Sequence, residues 1–302
     1  DRTGGNPFFI EELCKALMED GSVQIANRKA NLLNSLDKLS VPASVQAVIR
    51  ARLDRLDSHV KEALQLAAVI GREFPLRILE RITNASHKLS MSLDVLQSQE
   101  LIQQIRLIPE ADYMFKHVLT QVAVYESLLL KKRKEFHAAV GLAMEELYAD
   151  RLEEQCEKLA HHYSKSTNMK KALCYMEMAG AKASRVHSLS ESRQHYQTAL
   201  SILDEAKLET GSQQKYIELT LKWAEVSQYA PSNKIRNSLK RSLDYAIKFN
   251  KRQRTAEVLY WVAKFGYMQG DFIEAIPKVE ECIKLAGELN DHELLAISYN
   301  LL

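Results

Sequence analysis

The sequence predicts a mainly α-helical protein that carries one small β-hairpin and ends in a long run of paired helices. Three observations lead to this fold class. Only 10 glycines and 6 prolines interrupt 302 residues. Apolar residues recur at helical spacing along most of the chain, whereas alternation with period two is clear in one region, LIQQIRLI and YMFKHV. After about residue 149, small residues recur at the spacing expected of stacked helix pairs.

The charge balance limits which classes of binding partner we expect, and the cysteine content indicates the cellular compartment. The 41 basic and 39 acidic residues are interspersed and give a net charge of +2, so we expect no nucleic-acid or membrane partner. No apolar run approaches the roughly 18 residues that a membrane span needs. The four cysteines are far apart and form no C-x-x-C pair, which favours reduced thiols in a cytoplasmic protein without a metal site.

The first predicted helix follows an unusual opening, GGNPFFIEEL. Asn6 suits the N-cap and Pro7 the first helical position, while Phe9 and Leu13 begin an apolar stripe. Glycines such as Gly5 permit close approach of the backbone, and a helix N-terminus presents unpaired N–H groups and partial positive charge. Two interpretations remain open: an anion-binding site, or a loop that merely needs positive φ.

Residues 1–57 are predicted to form a small helical subdomain. A second helix is expected to start at Pro42, and the segment Ser22–Asn34 to hold a short hairpin or a loop. The apolar stripe of the second helix comprises Val45, Val48, Ile49, Leu53 and Leu56. The polar residues Gln46, Arg50, Arg52 and Arg55 are expected to lie away from this stripe.

Residues 58–148 are predicted to form a winged helix. One helix ends at Gly71, a short one runs from Pro75 to about Ile82, and a third covers Leu89–Gln99. The strands LIQQIRLI and YMFKHV follow, separated by the turn Pro109–Asp112. Three helices followed by a two-stranded wing are typical of this helix-turn-helix variant.

Several features argue against DNA binding by this predicted winged helix. Its would-be recognition helix, LSMSLDVLQSQE, contains Asp94 and Glu100 but no lysine or arginine. Binding in a DNA groove depends on cations placed against phosphates. The basic run Lys131–Lys134 is more typical of a solvated helix face or a joint between domains.

Residues 149–302 are predicted to form tetratricopeptide-like repeats, in which small residues allow two antiparallel helices to touch. A unit starting at Glu153 places Ala160, Tyr163, Ala172 and Ala179 at the expected positions, and a unit starting at Ala256 places Ala263, Gly270, Ala275 and Cys282 there. A unit starting at Thr220 gives Trp223, Ser227 and Ala246. The phase is not uniform, since Gly180, Tyr196 and Ala199 fit an overlapping unit. We expect a right-handed stack of helical hairpins with an irregular joint near Glu205–Gln213. We also expect this stack to continue beyond the apolar helix His292–Leu302.

With these segments in place, the chain resembles a known family. The carrying motifs, in order, are GGNPFFIEEL, VPASVQAVIRARLDRL, LQLAAVIGREFPLRIL, YMFKHVLTQVAVYESLL and EKLAHHYSKSTNMKKALCYMEMAG. They resemble the C-terminal part of predicted signal-transducing AAA-related (STAND) ATPases, most closely the branch that follows class III adenylate/guanylate cyclase domains, as in soluble adenylate cyclases. The resemblance covers about residues 1–205. Similar ATPase modules occur in large signalling kinases and transcription activators.

This resemblance implies a nucleotide site at two places. The helical lid of the family bears a Gly-x-Pro motif beside bound ATP or ADP, and Gly5-Asn6-Pro7 matches it. In related ATPases a histidine on the strand that leaves the wing senses the β-phosphate of ADP, and His117 falls at that place. The aspartate that usually follows such a histidine is Val118 here. The alternative for His117 is a hydrogen-bonded histidine at a strand end.

Other parts of such an ATPase are missing from the sequence. It contains neither a G-x-x-x-x-G-K-[ST] loop nor the paired aspartates of a cyclase, so we expect no catalytic residue here and an upstream P-loop core that shares the nucleotide. The neighbouring His161 and His162 point apart on a helix and are not expected to chelate a metal. We therefore expect a regulatory piece of a longer nucleotide-cyclase protein, with protein partners on its repeats. The alternatives are a scaffold without a nucleotide role, or part of a transcription activator or kinase.

Overall fold

The computed structural model describes residues 7–19, 23–26, 29–32, 44–83, 86–108, 110–205 and 212–302. The chain divides into two compact units, Asp1–Ala149 (unit one) and Asp150–Leu302 (unit two). The described residues form fifteen α-helices and five short strands, so the protein is mainly helical, as the sequence predicts. The finer division into a lid subdomain, a winged helix and repeats stays a prediction.

Unit one begins with two helices and a hairpin. These are α1 (Pro7–Glu19), β1 (Val23–Ala26), β2 (Lys29–Leu32) and α2 (Val45–Arg55). The strands β1 and β2 pair in antiparallel register, so the segment predicted as a hairpin or a loop contains a hairpin. Helix α1 packs on α2 through a small cluster in which Phe9 and Ala16 bury against Val48.

The beginning and the polar face of α2 differ from the sequence prediction. The helix starts at Val45, and the Ser44 hydroxyl accepts a hydrogen bond from the backbone N–H of Ala47 at 3.2 Å, as an N-cap does. Pro42, where the helix was expected to start, lies outside the described residues. The prediction that Arg52 lies away from the apolar stripe is wrong, because Arg52 is only 3% exposed and pairs with a buried carboxylate of α1.

The rest of unit one consists of five helices and a small antiparallel sheet. In chain order these are α3 (Ser58–Ile70), β3 (Glu73–Pro75), α4 (Leu76–Ile82), α5 (Ser86–Ser98), β4 (Ile102–Arg106), β5 (Asp112–Phe115), α6 (Val118–Ser127) and α7 (Leu130–Leu147). The sheet has the order β3-β5-β4. The sequence predicted two strands and missed β3, because three residues are too few to display a period of two. Pro75 fits there because β3 is an edge strand.

One hydrophobic core holds these elements together. Phe74 of β3 stacks on Tyr113, with ring centroids 5.9 Å apart, and its ring centroid lies 5.8 Å from that of Phe115. Helix α2 contributes Ile49 and Leu53 to the same core. Burial of these side chains fixes the sheet and α2 against α3 and α5. The sheet has three strands where the sequence predicted two, and the winged-helix identity of residues 58–148 stays a prediction.

One residue of the basic run at the start of α7, Arg133, has a structural role. Arg133 donates from Nε to the Leu128 carbonyl at 2.9 Å and from a terminal nitrogen to the Glu126 carbonyl at 2.8 Å. These carbonyls end α6, so Arg133 satisfies acceptors that the helix leaves open. The other members, Lys131, Lys132 and Lys134, are exposed.

Unit two is a succession of eight helices within the described residues. They are α8 (Cys156–Ser164), α9 (Met169–Arg185), α10 (Leu189–Glu205), α11 (Ser212–Val226), α12 (Asn233–Lys248), α13 (Arg252–Met268), α14 (Phe272–Leu289) and α15 (His292–Tyr299). Each helix packs on the next along the chain, as expected of stacked helical hairpins. Most of the joint predicted near Glu205–Gln213 lies outside the described residues.

The small residues predicted at helix contacts are buried. Ala160 and Ala179 have no exposed surface, and Ala172 is 1% exposed, between α8 and α9. In the pair α13 and α14, Ala263 and Cys282 are likewise fully buried. Small side chains at these positions let the helix backbones approach closely, which is the physical basis of the repeat pattern.

The overlapping phase of the repeats has a physical explanation. Helix α9 packs on α8 through one face and on α10 through another, so its residues fit the small-residue pattern of two overlapping repeat units. Gly180 of α9 faces the buried ring of Tyr196 on α10, and Ser192 donates to the Gly180 carbonyl at 2.8 Å. Gly270, at φ 77°, occupies the turn between α13 and α14, as predicted.

Candidate functional site

The start of α1 presents an exposed residue to solvent. Pro7 is the first helical residue, as predicted, and it is exposed. Gly5 and Asn6, the other two residues of the predicted nucleotide motif, lie outside the described residues. Phe9 is 5% exposed and anchors this end of the helix on α2, whereas Ile10 is 45% exposed. The helix therefore has one buried side and one open side within its first turn.

A buried ion pair holds the middle of α1. Glu12 accepts a hydrogen bond from Arg52 of α2 at 2.6 Å, and both side chains are only 2% exposed. The second terminal nitrogen of Arg52 donates to the Gln99 carbonyl at the end of α5, at 2.9 Å. Arg52 thus links three segments of unit one, and a charge-assisted bond of this kind fixes orientation as well as distance.

A second, more exposed layer of charges covers this ion pair. Lys15 of α1 contacts Glu11 at 2.6 Å and Glu100 at 2.5 Å, and Lys116 contacts the same Glu100 oxygen at 2.9 Å. Glu100 follows α5 in the left-handed conformation with φ 56°. We call Glu11, Lys15, Glu100 and Lys116 the charge bridge, because they connect α1 to the end of α5 and to the exit of β5.

The charge bridge shifts the pKa values of its carboxylates. Hydrogen bonds from Lys15 and Lys116 lower the pKa of Glu100 to about 2. The hydrogen bond from Lys15 also lowers the pKa of Glu11, and this outweighs the opposing effect of burial; the nearby charges, that of Lys15 first, lower the pKa further. Both carboxylates are therefore ionised at neutral pH.

His117 lies directly after the charge bridge in the chain. It follows β5, precedes the first residue of α6, has extended backbone angles of φ −126° and ψ 135°, and is half-buried. The residue before it, Lys116, contacts Glu100 at 2.9 Å, and the same Glu100 oxygen contacts Lys15 of α1 at 2.5 Å. The structure thus connects the segment that carries His117 to α1 through Glu100.

We expect the charge bridge to weaken in acid. The pKa of Glu100 is about 2 in the folded protein against an ordinary value of 4.5, so its contribution to stability is complete above about pH 5 and is lost as the pH falls toward 2. The difference in urea midpoint between the wild type and Glu100→Gln should be constant from about pH 5 to 8 and shrink below pH 5. Glu126→Gln, at an exposed site, is the control. A difference that persists unchanged to pH 2 would contradict this assignment.

Sequence reasoning missed the buried ion pair, although a signal was present. Glu12 lies between Phe9 and Ala16 at helical spacing, on the apolar side of α1. Arg52 lies four residues after Val48 and so belongs to the buried side of α2. Opposite charges on the apolar faces of two neighbouring helices are the pattern that would have predicted their pairing.

Unit two carries an open groove of about 680 Å³ along α11, α13 and α15. Its aromatic residues Tyr260 and Trp261 are half-buried and lie on α13. Its charged residues are Glu218, Lys222, Glu225, Arg254, Glu257, Lys264 and Glu293. A mixed aromatic and charged lining of this size suits recognition of a polar ligand with an apolar part.

Neither a metal cluster nor a membrane span occurs in the part of the chain that the structure describes. No group of three or more His, Cys, Asp or Glu side chains there is placed to hold a metal ion. His161 and His162 have ring centroids 5.4 Å apart and meet edge to face. No helix among these residues has the length and hydrophobicity needed to cross a bilayer.

Comparisons with known proteins place the chain beside a much longer relative. No family model matches it. It is 25% identical over 221 residues to an uncharacterized protein of Rhizobium meliloti (strain 1021), and the match covers 72% of this chain but 21% of that relative. The chain thus spans about a fifth of the relative's length.

A solved structure was also found. It is the crystal structure of a Signal Transduction ATPase with Numerous Domains (STAND) protein with a tetratricopeptide repeat sensor from Pyrococcus horikoshii. The TM-score is 0.35 at 12% identity, over 99% of this chain and 52% of that chain. A score this low does not establish a shared fold.

Proposed function

We propose that this chain is the regulatory region of a STAND-type ATPase, in which α1 and His117 face ATP or ADP held by an upstream P-loop core. The observation that carries the proposal is the link between the strand exit and α1: Lys116, the residue before His117, shares Glu100 with Lys15 of α1, and α1 has an exposed first residue. A helix start presents unpaired N–H groups, and a histidine supplies a hydrogen-bond donor, so the two together suit a phosphate. The sequence resemblance supports the choice of nucleotide.

The proposed mechanism is a change between two domain arrangements. Bound ADP would contact the core, α1 and His117 at once and would hold the domains in one arrangement. The ion pair of Glu12 with Arg52 and the charge bridge fix α1 on the rest of unit one, so α1 and His117 would respond to the nucleotide as one body. A partner that binds unit two more tightly in the other arrangement would shift the population toward it.

Substitution of the two site residues tests this proposal. In a longer protein that joins the ATPase core to this chain, we expect His117→Ala to weaken ADP binding about tenfold or more, as loss of one hydrogen bond to a charged group does. Pro7→Ala should also weaken it, because the fixed φ of proline holds the first turn of α1 in the helical conformation. Isothermal titration calorimetry with ADP provides the measurement. The control is His59→Ala, at an exposed histidine of α3. Unchanged affinity in both site variants would refute the site.

We further propose that unit two binds a protein partner and that the output is an adenylate or guanylate cyclase. The open groove along α11, α13 and α15 supports the first part, and the sequence resemblance supports the second. In this scheme the parent chain has nucleotide cyclase activity, whereas the present residues regulate it from the cytoplasm.

Two alternatives keep the fold but change the function. A scaffold of helical repeats would bind partners without a nucleotide, and ADP would then leave partner affinity unchanged in the full-length chain. A transcription activator or a large kinase would use the same nucleotide switch with another output domain. The full-length reading frame distinguishes these alternatives. An upstream P-loop would favour a nucleotide switch over a scaffold, and the type of output domain would separate a cyclase from a transcription activator or a kinase.

A further inference from the structure

The groove of unit two has no role in the proposed nucleotide site. Some of its charged side chains form ion pairs within the protein, and others do not. The cation Arg254 contacts Glu257 at 2.6 Å, so this pair is internal to the groove. Lys222 is held by Glu177 at 2.6 Å, and Glu177 does not line the groove. Two of the three cations are thus engaged by carboxylates of the protein itself.

The third cation is engaged by aromatic rings. The Lys264 ammonium lies 4.9 Å from the ring centroid of Trp261 and 5.5 Å from that of Tyr260. It also lies 3.4 Å from the Gln228 side-chain oxygen. These contacts show that the aromatic floor of the groove already accepts a positive charge, as the electron-rich faces of such rings do.

The carboxylates of the groove are paired with cations less completely than its cations are paired with carboxylates or aromatic rings. Glu218 has Lys215 at 3.4 Å, but Lys215 lies closer to Glu177, at 2.6 Å. Glu225 of α11 and Glu293 of α15 are exposed and have no ion pair among the residues that the structure describes. After internal pairing, the groove therefore presents two unneutralised carboxylates, one on each of its outer helices.

We propose that this groove binds an extended peptide segment of a partner protein through two basic side chains, one at Glu225 and one at Glu293. Arginine or lysine would neutralise each carboxylate, and the apolar stem of such a side chain can lie on the aromatic residues of α13. This inference rests on the proposed protein-binding role of unit two and names the chemistry of its partner.

The spacing of the helices sets the spacing of the two basic residues. The groove is lined by α11, α13 and α15, with Glu225 on α11 and Glu293 on α15. Packed helices have axes about 8–10 Å apart. Two such steps are roughly 16–20 Å, which an extended chain covers in about five residues at about 3.3–3.6 Å each. Because side chains of an extended chain alternate between its two sides, the two basic residues that face the groove should lie about four or six positions apart.

A peptide selection tests the inference on the 302-residue chain. The probe is a library of N-acetylated, C-amidated octapeptides, and enriched peptides are then titrated against the wild type and variants. We expect enrichment of two basic residues about four or six positions apart, and about tenfold weaker binding to Glu225→Gln/Glu293→Gln. Glu280→Gln, at an exposed residue of α14 outside the groove, should bind like the wild type.

Tryptophan emission provides an independent report on the location of binding. The chain has two tryptophans: Trp223 is 4% exposed, whereas Trp261 is half-buried in the groove. Peptide binding in the groove should change the emission of the wild type but not that of Trp261→Phe. Circular dichroism checks that each variant keeps the helical content of the wild type.

The possible failures point to different errors. Enriched peptides that change Trp261 emission but lack basic residues would overturn the proposed chemistry and leave the protein-binding role intact. Basic peptides that bind the Glu225→Gln/Glu293→Gln variant as tightly as the wild type would overturn the proposed location. If no peptide is enriched, both this inference and the proposed protein-binding role of the groove fail.

Discussion

Replacing Arg52 by methionine is expected to lower the free energy of unfolding of unit one by about 3–5 kcal/mol, the usual cost of removing one partner from a buried ion pair. The change leaves the buried Glu12 with only the more distant Lys15, at 3.9 Å, and removes a donor from the Gln99 carbonyl. Urea denaturation gives the free energy of unfolding. Hydrogen exchange of the α1 amides shows whether the loss falls in unit one.

Two further variants separate the ion pair from the loss of side-chain packing. Arg50→Met changes an exposed arginine of the same helix and should cost less than about 0.5 kcal/mol. Replacing both partners, as in Glu12→Leu/Arg52→Met, should recover most of the loss, because two apolar side chains do not need to be neutralised. A cost below 1 kcal/mol for Arg52→Met, or no recovery in the double variant, would contradict the assigned role of the pair.

Gly180→Ala is expected to destabilise unit two by about 1–3 kcal/mol, although alanine is the better helix former. A Cβ atom at Gly180 would lie 2.8 Å from two ring atoms of Tyr196. The Tyr196 ring is only 3% exposed, and burial raises the pKa of its hydroxyl to about 12. A ring so enclosed cannot move aside without disturbing the contact between α9 and α10.

The matched control for this substitution is Gly287→Ala. Gly287 also lies in a helix, α14, but a Cβ atom there would meet nothing within 4 Å. We expect this variant to be more stable by about 0.5–1 kcal/mol, because only the backbone entropy of glycine is removed. Thermal unfolding followed by circular dichroism compares the two. A neutral or stabilising Gly180→Ala would show that Tyr196 moves freely.

The elements that the sequence predicted well are those in which one residue type is required locally. Pro7 begins α1, and Gly71 ends α3, because both residues have backbone properties suited to those positions. The small residues Ala160 and Ala179 mark the contact of α8 with α9 for a similar reason. By contrast, β3 escaped notice because its three residues form a strand only when β5 pairs with them.

The candidate site was predictable in part. The sequence predicts a helix start at Pro7, and its resemblance to a family draws attention to His117. That α1 and the exit of β5 are connected depends on Glu100, which both Lys15 and Lys116 contact, across about a hundred residues of chain. The charges that fix this packing come from segments far apart in sequence, so no local pattern predicts that Lys15 and Lys116 share Glu100.

The sequence by itself determined the helical class, the presence of one β-hairpin in the middle of the chain and the pairing of helices after residue 149. These features follow from local spacing of apolar, small and turn-forming residues. Only the tertiary structure decided that Arg52 is buried beside Glu12, that a third strand completes the sheet, and that Glu225 and Glu293 line one groove. The physical reason is that burial and charge pairing depend on which distant segments meet, whereas helix and turn formation depend on neighbours in the chain.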